Sequence, residues 1–170
     1  MSSKPLKILY LIDYKTYRYK MSRVRFHGIE ALSFLAKVKM WGPGWEGYDK
    51  SKTVLENLIS LGEVFDFALA YKPLEFKEFA KIKIPRCLRY NEMYEFDWTR
   101  QEIEETDADL VICHHENDMK TYQAYYNNYY AQPNRKVQFV HVPHCAKKEA
   151  FKDYRLPKKY DLLLCGRYHG

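Results

Sequence analysis

The chain has 170 residues, which suits one ordinary domain and is too short for two full-sized ones. Hydrophobic residues make up 46% and charged residues 29%, and no apolar run reaches the roughly 20 residues of a membrane-spanning helix, so composition argues against disorder and against a transmembrane segment. The net charge of +6 comes from basic residues scattered among 22 acidic ones, and we expect no nucleic-acid partner.

Strands and helices alternate in the first half of the chain. Apolar runs predict strands at residues 7–13, 36–41, 64–70 and 81–90. Helical spacing predicts a helix that Ser22 caps and that extends to Leu35, and a second helix at residues 52–61 that ends at Gly62. Between them, the sequence Gly42-Pro43-Gly44 predicts a turn after the second strand.

The same alternation continues to the end of the chain. We predict a helix at residues 97–106 with Asp97 as its cap, and a helix at residues 120–130. Further strands are predicted at residues 108–113, 136–142 and 159–165. This order predicts an α/β fold, a Rossmann-like three-layer sandwich with a mostly parallel sheet of about six or seven strands and helices on both faces.

Four cysteines, Cys87, Cys113, Cys145 and Cys165, are widely spaced and form no CxxC pair. Two of them lie inside apolar, strand-like runs. Disulfide frameworks are typical of small secreted domains with paired cysteine spacings, whereas this pattern is typical of reduced thiols. We therefore predict a cytoplasmic protein.

Polar and aromatic residues collect where the predicted strands end. Ligands of parallel α/β sheets bind beyond the carboxyl ends of the strands, so these positions are the candidate site. We predict that His115 and Glu116 are catalytic. The predicted substrate-binding residues, most of them around one cleft, are Asp13, Arg23, Gly42, Gly44, Trp45, Asn117, Asp118 and His144.

Four histidines, His114, His115, His141 and His144, follow the fifth and sixth predicted strands. A metal would need three or four ligands converging at about 2.0–2.3 Å, but adjacent histidines in an extended chain point to opposite faces, and no HxxxH or CxxC spacing is present. We predict no metal. A histidine here acts as a hydrogen-bond donor or general base, or it is fixed by a loop carbonyl, and the sequence leaves both interpretations open.

Residues 42–49 combine three glycines with Trp45, Glu46 and Asp49. Glycines allow close approach of a partner to the backbone, and an aromatic face between carboxylates suits a sugar, which presents both CH patches and hydroxyls. The alternative is a tight structural loop in which Trp45 packs.

Three segments carry a resemblance to a known family. Residues 141–151, HVPHCAKKEAF, followed by residues 156–166, LPKKYDLLLCG, resemble the interdomain linker of GT-B glycosyltransferases. Residues 41–49 and 109–118 resemble the N-terminal halves of such enzymes, and the layout is similar along the whole chain, although the loop at residues 14–25 lacks the Gly-Gly pair frequent in the family. The resemblance implies a Rossmann-like N-terminal domain at residues 1–152. It also implies that residues 153–170 are the linker and the first strand of a C-terminal donor-binding domain.

The resemblance further implies an activity. The chain would be the acceptor-side half of an enzyme that transfers a sugar from a nucleotide-sugar donor to a hydroxyl of a carbohydrate or other acceptor, without a metal or a cofactor. Its partners would be the donor, the acceptor and the C-terminal domain of the same enzyme, with peripheral membrane contact left open. The chain alone would be inactive, because catalysis needs both domains closed around a dry cleft. The alternative is a flavodoxin-like module that binds nucleic acid or a small anion through its basic, tyrosine-rich loop at residues 14–25.

Overall fold

A six-stranded, all-parallel sheet forms the centre of the protein. The computed structural model describes residues 4–19, 26–90, 93, 95–128 and 137–144. Within these residues the strand order is β2-β1-β3-β4-β5-β6, and each neighbouring pair is parallel. The strands are β1 (Lys7–Leu11), β2 (Lys37–Trp41), β3 (Phe67–Ala70), β4 (Arg86–Tyr90), β5 (Leu110–Cys113) and β6 (Gln138–His141). The predicted α/β fold is confirmed, and the strand predicted at residues 159–165 lies outside the described residues.

Helices cover both faces of this sheet. The described helices are α1 (Tyr14–Tyr19), α2 (His27–Leu32), α3 (Val54–Leu61), α4 (Phe96–Glu105) and α5 (Glu116–Asn128). Val54, Ile103 and Tyr122 from α3, α4 and α5 belong to the core on one face. Tyr17 of α1 and Ile29 of α2 pack into the core on the other. No described helix has the length and apolarity that crossing a membrane would require.

The apolar run of strand β1 is continuous because both faces of the strand are buried. Leu9 and Leu11 belong to the core beneath α3, α4 and α5, whereas Ile8 and Tyr10 belong to the core beneath α1 and α2. All four side chains are buried. A central parallel strand that is covered on both faces has no solvent side, so it carries no polar alternation.

The order of the strands places a switch point beside β1. The chain passes from β1 to β2 on one side, and β3 then pairs with β1 on the other side. This order, 2-1-3-4-5, is that of flavodoxin-like sheets, in which ligands bind beyond the carboxyl ends of the strands next to the switch point. The carboxyl ends of β1 and β3 therefore mark a crevice in this fold.

Helix α3 has the clearest sequence signals. The Thr53 hydroxyl accepts a hydrogen bond from the Glu56 amide, and the Glu56 carboxylate accepts one from the Thr53 amide, which is a capping box. Gly62 closes the helix in the left-handed region, with φ of 66°. The predicted end at Gly62 is confirmed.

Other predicted boundaries were wrong for identifiable reasons. Phe34 and Leu35 were placed on the apolar face of a helix, but they are 89% and 80% exposed, because the chain turns after α2 to enter β2. Asp97 lies inside the first turn of α4 rather than at its cap. Residues 14–19, taken as part of a loop, form α1, which begins where the Asp13 carboxylate accepts a hydrogen bond from the Thr16 amide at 2.9 Å. The Ser22 cap lies outside the described residues.

Candidate functional site

The predicted site residues that the structure describes lie at the carboxyl edge of the sheet, in two groups. Asp13, Gly42, Gly44 and Trp45 follow β1 and β2. The second group follows β5 and β6 and consists of His115, Glu116, Asn117, Asp118 and His144. Strands β3 and β4 separate β1 from β5, which puts the groups about 14 Å apart at roughly 4.8 Å per strand. Arg23 lies outside the described residues.

The loop after β2 closes over the end of β1. Trp45 Nε1 donates to the Ile12 carbonyl oxygen at 2.9 Å, and the Tyr14 amide donates to the Pro43 carbonyl oxygen at 2.9 Å. The Trp45 ring contacts Tyr14 edge-on, with centroids 5.1 Å apart, and also lies 5.8 Å from the ring of Tyr17. These contacts agree with the interpretation of Trp45 as a packing residue of a tight loop.

Gly42 explains how this loop comes so close to β1. Its φ is 145°, and a Cβ added there would lie 2.7 Å from the Ile12 carbonyl oxygen and 3.0 Å from a ring carbon of Phe76. The partner that approaches this glycine is thus the protein's own backbone.

We expect Gly42→Ala to lower the free energy of unfolding more than Gly47→Ala does. Both glycines have positive φ, but a Cβ at Gly47 would meet nothing within 4 Å. Gly47→Ala should cost about 1 kcal/mol for the backbone conformation alone, and Gly42→Ala about 1–2 kcal/mol more for the steric overlap. Urea denaturation of both variants measures the difference. Equal losses would contradict the close approach at Gly42.

His114 is fixed at the end of β5 by two neighbouring strands. Arg89 Nε of β4 donates to His114 Nε2 at 2.8 Å, and His114 Nδ1 lies 2.5 Å from the Val142 carbonyl oxygen beyond β6. Because Nε2 accepts, the ring proton is on Nδ1 and donates to that carbonyl. Burial, with a further contribution from the Arg89 charge, lowers the pKa of His114 to about 4. His114 is therefore neutral at pH 7, and both of its ring nitrogens form hydrogen bonds.

His115 differs from its neighbour. It is exposed, and no hydrogen bond between described residues engages its imidazole. The ring of His144 lies 6.0 Å from the His115 ring and stacks on the His114 ring at 4.1 Å. Of the two adjacent histidines, His114 thus fixes the strand ends through a loop carbonyl, and His115 presents an imidazole to the space in front of the sheet.

The acidic residues beside His115 make contacts within the protein. The Glu116 carboxylate pairs with Lys120 at 2.7 Å, and this contact lowers the pKa of Glu116. The Asp118 carboxylate accepts a hydrogen bond from the Met93 amide at 3.3 Å. Asn117 is exposed in the first turn of α5. This helix begins at Glu116, four residues before the predicted start, and its first turn carries the two acids that a helix N-terminus favours.

Sequence reasoning missed Arg89 and Tyr10. Arg89 lies inside β4 among buried neighbours, and Tyr10 is fully buried in β1. A charged residue within an otherwise apolar strand could have marked Arg89, since such groups are rarely buried without a partner. No comparable local signal marks Tyr10, because tyrosine is common in strands.

Other features of the described structure lie apart from these groups. Burial raises the pKa of the Cys87 and Cys113 thiols to about 12, which leaves both unreactive as nucleophiles at neutral pH. A hollow of about 160 Å³ lies between the Pro73–Glu75 and Phe79–Lys81 turns and the end of α4, and no histidine or arginine lines it. Among the described residues, no three His, Cys, Asp or Glu side chains converge to hold a metal ion.

Among the described residues, the carboxyl edge thus offers the exposed imidazole of His115, a neighbouring cluster of Arg89, His114 and His144, and an aromatic loop on the far side of β3 and β4. The open imidazole can accept or donate a proton. The cluster of Arg89, His114 and His144 lies beside His115 and can fix the position of its ring. No protein-family model, curated protein or solved structure matches this chain.

Proposed function

We propose that this chain is the acceptor-side half of a glycosyltransferase that moves a sugar from a nucleotide-sugar donor to an acceptor hydroxyl. The observation that carries the proposal is the exposed His115 imidazole, free of hydrogen bonds to other described residues, at the carboxyl edge of a parallel sheet. Ligands of such sheets bind at that edge, and a general base must reach the proton that it removes.

His115 takes the proton of the acceptor hydroxyl in this proposal. As the O–H bond breaks, the acceptor oxygen forms a bond to the anomeric carbon of the donor sugar. The bond from that carbon to the donor phosphate oxygen breaks, and its electron pair leaves with the nucleoside diphosphate. His115 ends the step as imidazolium and returns its proton to water.

The residues around His115 have supporting roles. The Arg89–His114 hydrogen bond and the His114–His144 stack fix the ends of β5 and β6 behind the reacting group. Glu116 suits a base less well, because its ion pair with Lys120 lowers its pKa and leaves a weakly basic carboxylate.

The aromatic loop after β2 provides the other wall of the proposed acceptor cleft. Trp45 is only partly buried, and Glu46 beside it is exposed. An extended acceptor would reach from His115 across the ends of β4 and β3 toward Trp45. The tyrosines Tyr14 and Tyr17, which the binding-module alternative would use for stacking, instead contact Trp45 and Phe26.

The donor test uses the complete open reading frame that contains these residues. The purified protein is incubated with UDP-, GDP-, ADP- and dTDP-sugars, and release of nucleoside diphosphate is measured with water or added sugars as acceptors. We expect release from one donor class, and none from the 170-residue chain alone. A reading frame that stops at Gly170, or a longer protein that cleaves none of these donors, would contradict the proposal.

A further inference from the structure

Four large apolar side chains are exposed at the amino edge of the sheet. Leu6 directly precedes β1, and Val64 lies in the connection from α3 to β3. Phe34 and Leu35 lie in the connection from α2 to β2. The exposed fractions of these four residues range from 53% to 89%. Single exposed apolar residues are common, whereas a contiguous group of them marks a contact surface, and we call this group the amino-edge patch.

The strand order makes the patch contiguous. Strand β1 lies between β2 and β3, so the segments that enter these three strands lie side by side. The Lys37 amide donates to the Leu6 carbonyl oxygen at 2.8 Å, which fixes the entry to β2 beside the entry to β1. Neighbouring strands are about 4.8 Å apart, so the entries to β2 and β3 are roughly 10 Å apart, with Leu6 between them.

Lysines outnumber carboxylates around the patch. Residues 4–7, 34–39 and 63–66 contain four lysines and two carboxylates. Lys4 and Lys37 are exposed, and no carboxylate in the described part of the chain forms an ion pair with either of them. The excess of positive charge around exposed apolar side chains favours an anionic partner.

Both of these carboxylates are engaged by groups of the protein itself. The Glu63 carboxylate pairs with Lys39 at 2.5 Å. The Asp66 carboxylate accepts a hydrogen bond from the Lys7 amide at 2.6 Å. These contacts tie the entry to β3 to its two neighbouring strands, and the excess positive charge stays open to a partner.

A second copy of the chain fits this surface poorly. A twofold interface brings the same surface of both copies together, so Lys4 and Lys37 would approach their own counterparts. Lys37 and Lys39 also lie on β2, at the edge of the described sheet, where lysines oppose pairing with another strand. Phe34 and Leu35 are 89% and 80% exposed, so they project from the surface and line no groove for a peptide.

We propose that the amino-edge patch docks this protein on an anionic lipid surface. Phe34 and Leu35 enter the boundary between the headgroups and the acyl chains, and Lys4 and Lys37 contact lipid phosphates. A lipid surface accommodates projecting side chains without a complementary groove. The carboxyl edge, where His115 lies, then faces the water. The docking is independent of the proposed sugar transfer, because no residue of the candidate site takes part in it.

Flotation of the 170-residue chain with lipid vesicles tests the docking. Vesicles of phosphatidylcholine alone are compared with vesicles of phosphatidylcholine and phosphatidylglycerol in equal amounts. We expect binding to the anionic vesicles that weakens by about tenfold or more in Phe34→Ser/Leu35→Ser, and by a similar factor in Lys4→Glu/Lys37→Glu. Trp98→Ser is the matched control, because Trp98 is 53% exposed in α4 near the opposite edge of the sheet, and its binding should equal that of the wild type.

Four outcomes would overturn the proposal. The first two are an absence of wild-type binding to anionic vesicles and unchanged binding of Phe34→Ser/Leu35→Ser. Equal binding of the wild type to both kinds of vesicle would remove the role of the lysines. A wild-type dimer in sedimentation velocity that becomes monomeric in Phe34→Ser/Leu35→Ser would assign the patch to a second copy of the chain. The substituted side chains are all exposed, so each variant should keep the melting temperature of the wild type.

Discussion

Replacing His115 with alanine is expected to lower the rate of the proposed sugar transfer by about a hundredfold or more, which is the usual contribution of a general base. The melting temperature should remain almost unchanged, because the side chain is exposed and makes no hydrogen bond to another described residue. Initial rates of nucleoside diphosphate release and thermal unfolding of the same preparation measure both effects.

His141 provides the matched control for this substitution. It is also an exposed histidine near the carboxyl edge and the last residue of β6. It lies close enough to act on the charge of Glu116, so it samples the same surroundings as His115 without being one of the predicted site residues. His141→Ala should keep nearly normal turnover. Near-normal turnover of His115→Ala would show that His115 is not the base. A decrease in turnover that matches the decrease in the folded fraction of the variant would make His115 a structural residue.

Stability should fall as the pH drops from 7.5 to 4.5, and His114 should account for about 2.5 kcal/mol of that fall. Burial, followed by the Arg89 charge, lowers the pKa of His114 to about 4 in the folded protein, against about 6.5 in the unfolded chain. The unfolded state therefore takes up a proton first. The stability that neutral His114 contributes is complete above about pH 6.5 and is lost as the pH falls toward 4.

Urea denaturation at the two pH values tests this prediction in the wild type and in His114→Asn, whose side chain does not titrate. Carboxylates with lowered pKa values, such as those of Glu56 and Glu63, titrate in both proteins, so their contributions cancel in the comparison. The wild type should lose about 2.5 kcal/mol more than the variant. The same loss in both proteins would show that His114 is not held neutral by the fold.

The inner strands β1, β3 and β5 could be predicted from the sequence because each is a short apolar run that is mostly buried. Leu9 and Tyr10 face opposite cores, and both are buried, so no register information was needed to recognise β1. The capping box at Thr53 and the left-handed Gly62 are likewise local signals. Phe34 and Leu35 show the limit of such patterns, since their apolar character alone placed them in a helix that ends before them.

The candidate site was only partly predictable, because its contacts depend on which strands become neighbours. The sequence placed His114 and His115 at a strand end, but it could not decide which of them a carbonyl would fix. That choice follows from the pairing of β5 with β4 and β6, which brings Arg89 and Val142 to opposite sides of the His114 ring.

Chemical rescue of the His115→Ala variant in the donor assay tests the proposed transfer most directly. The exposed position of His115 leaves room for a free imidazole to replace the missing side chain. Turnover is measured with increasing imidazole at constant pH and ionic strength. We expect a saturable recovery of nucleoside diphosphate release in His115→Ala and no effect on the wild type. A variant whose low turnover does not respond to imidazole would contradict the assignment of His115 as the base.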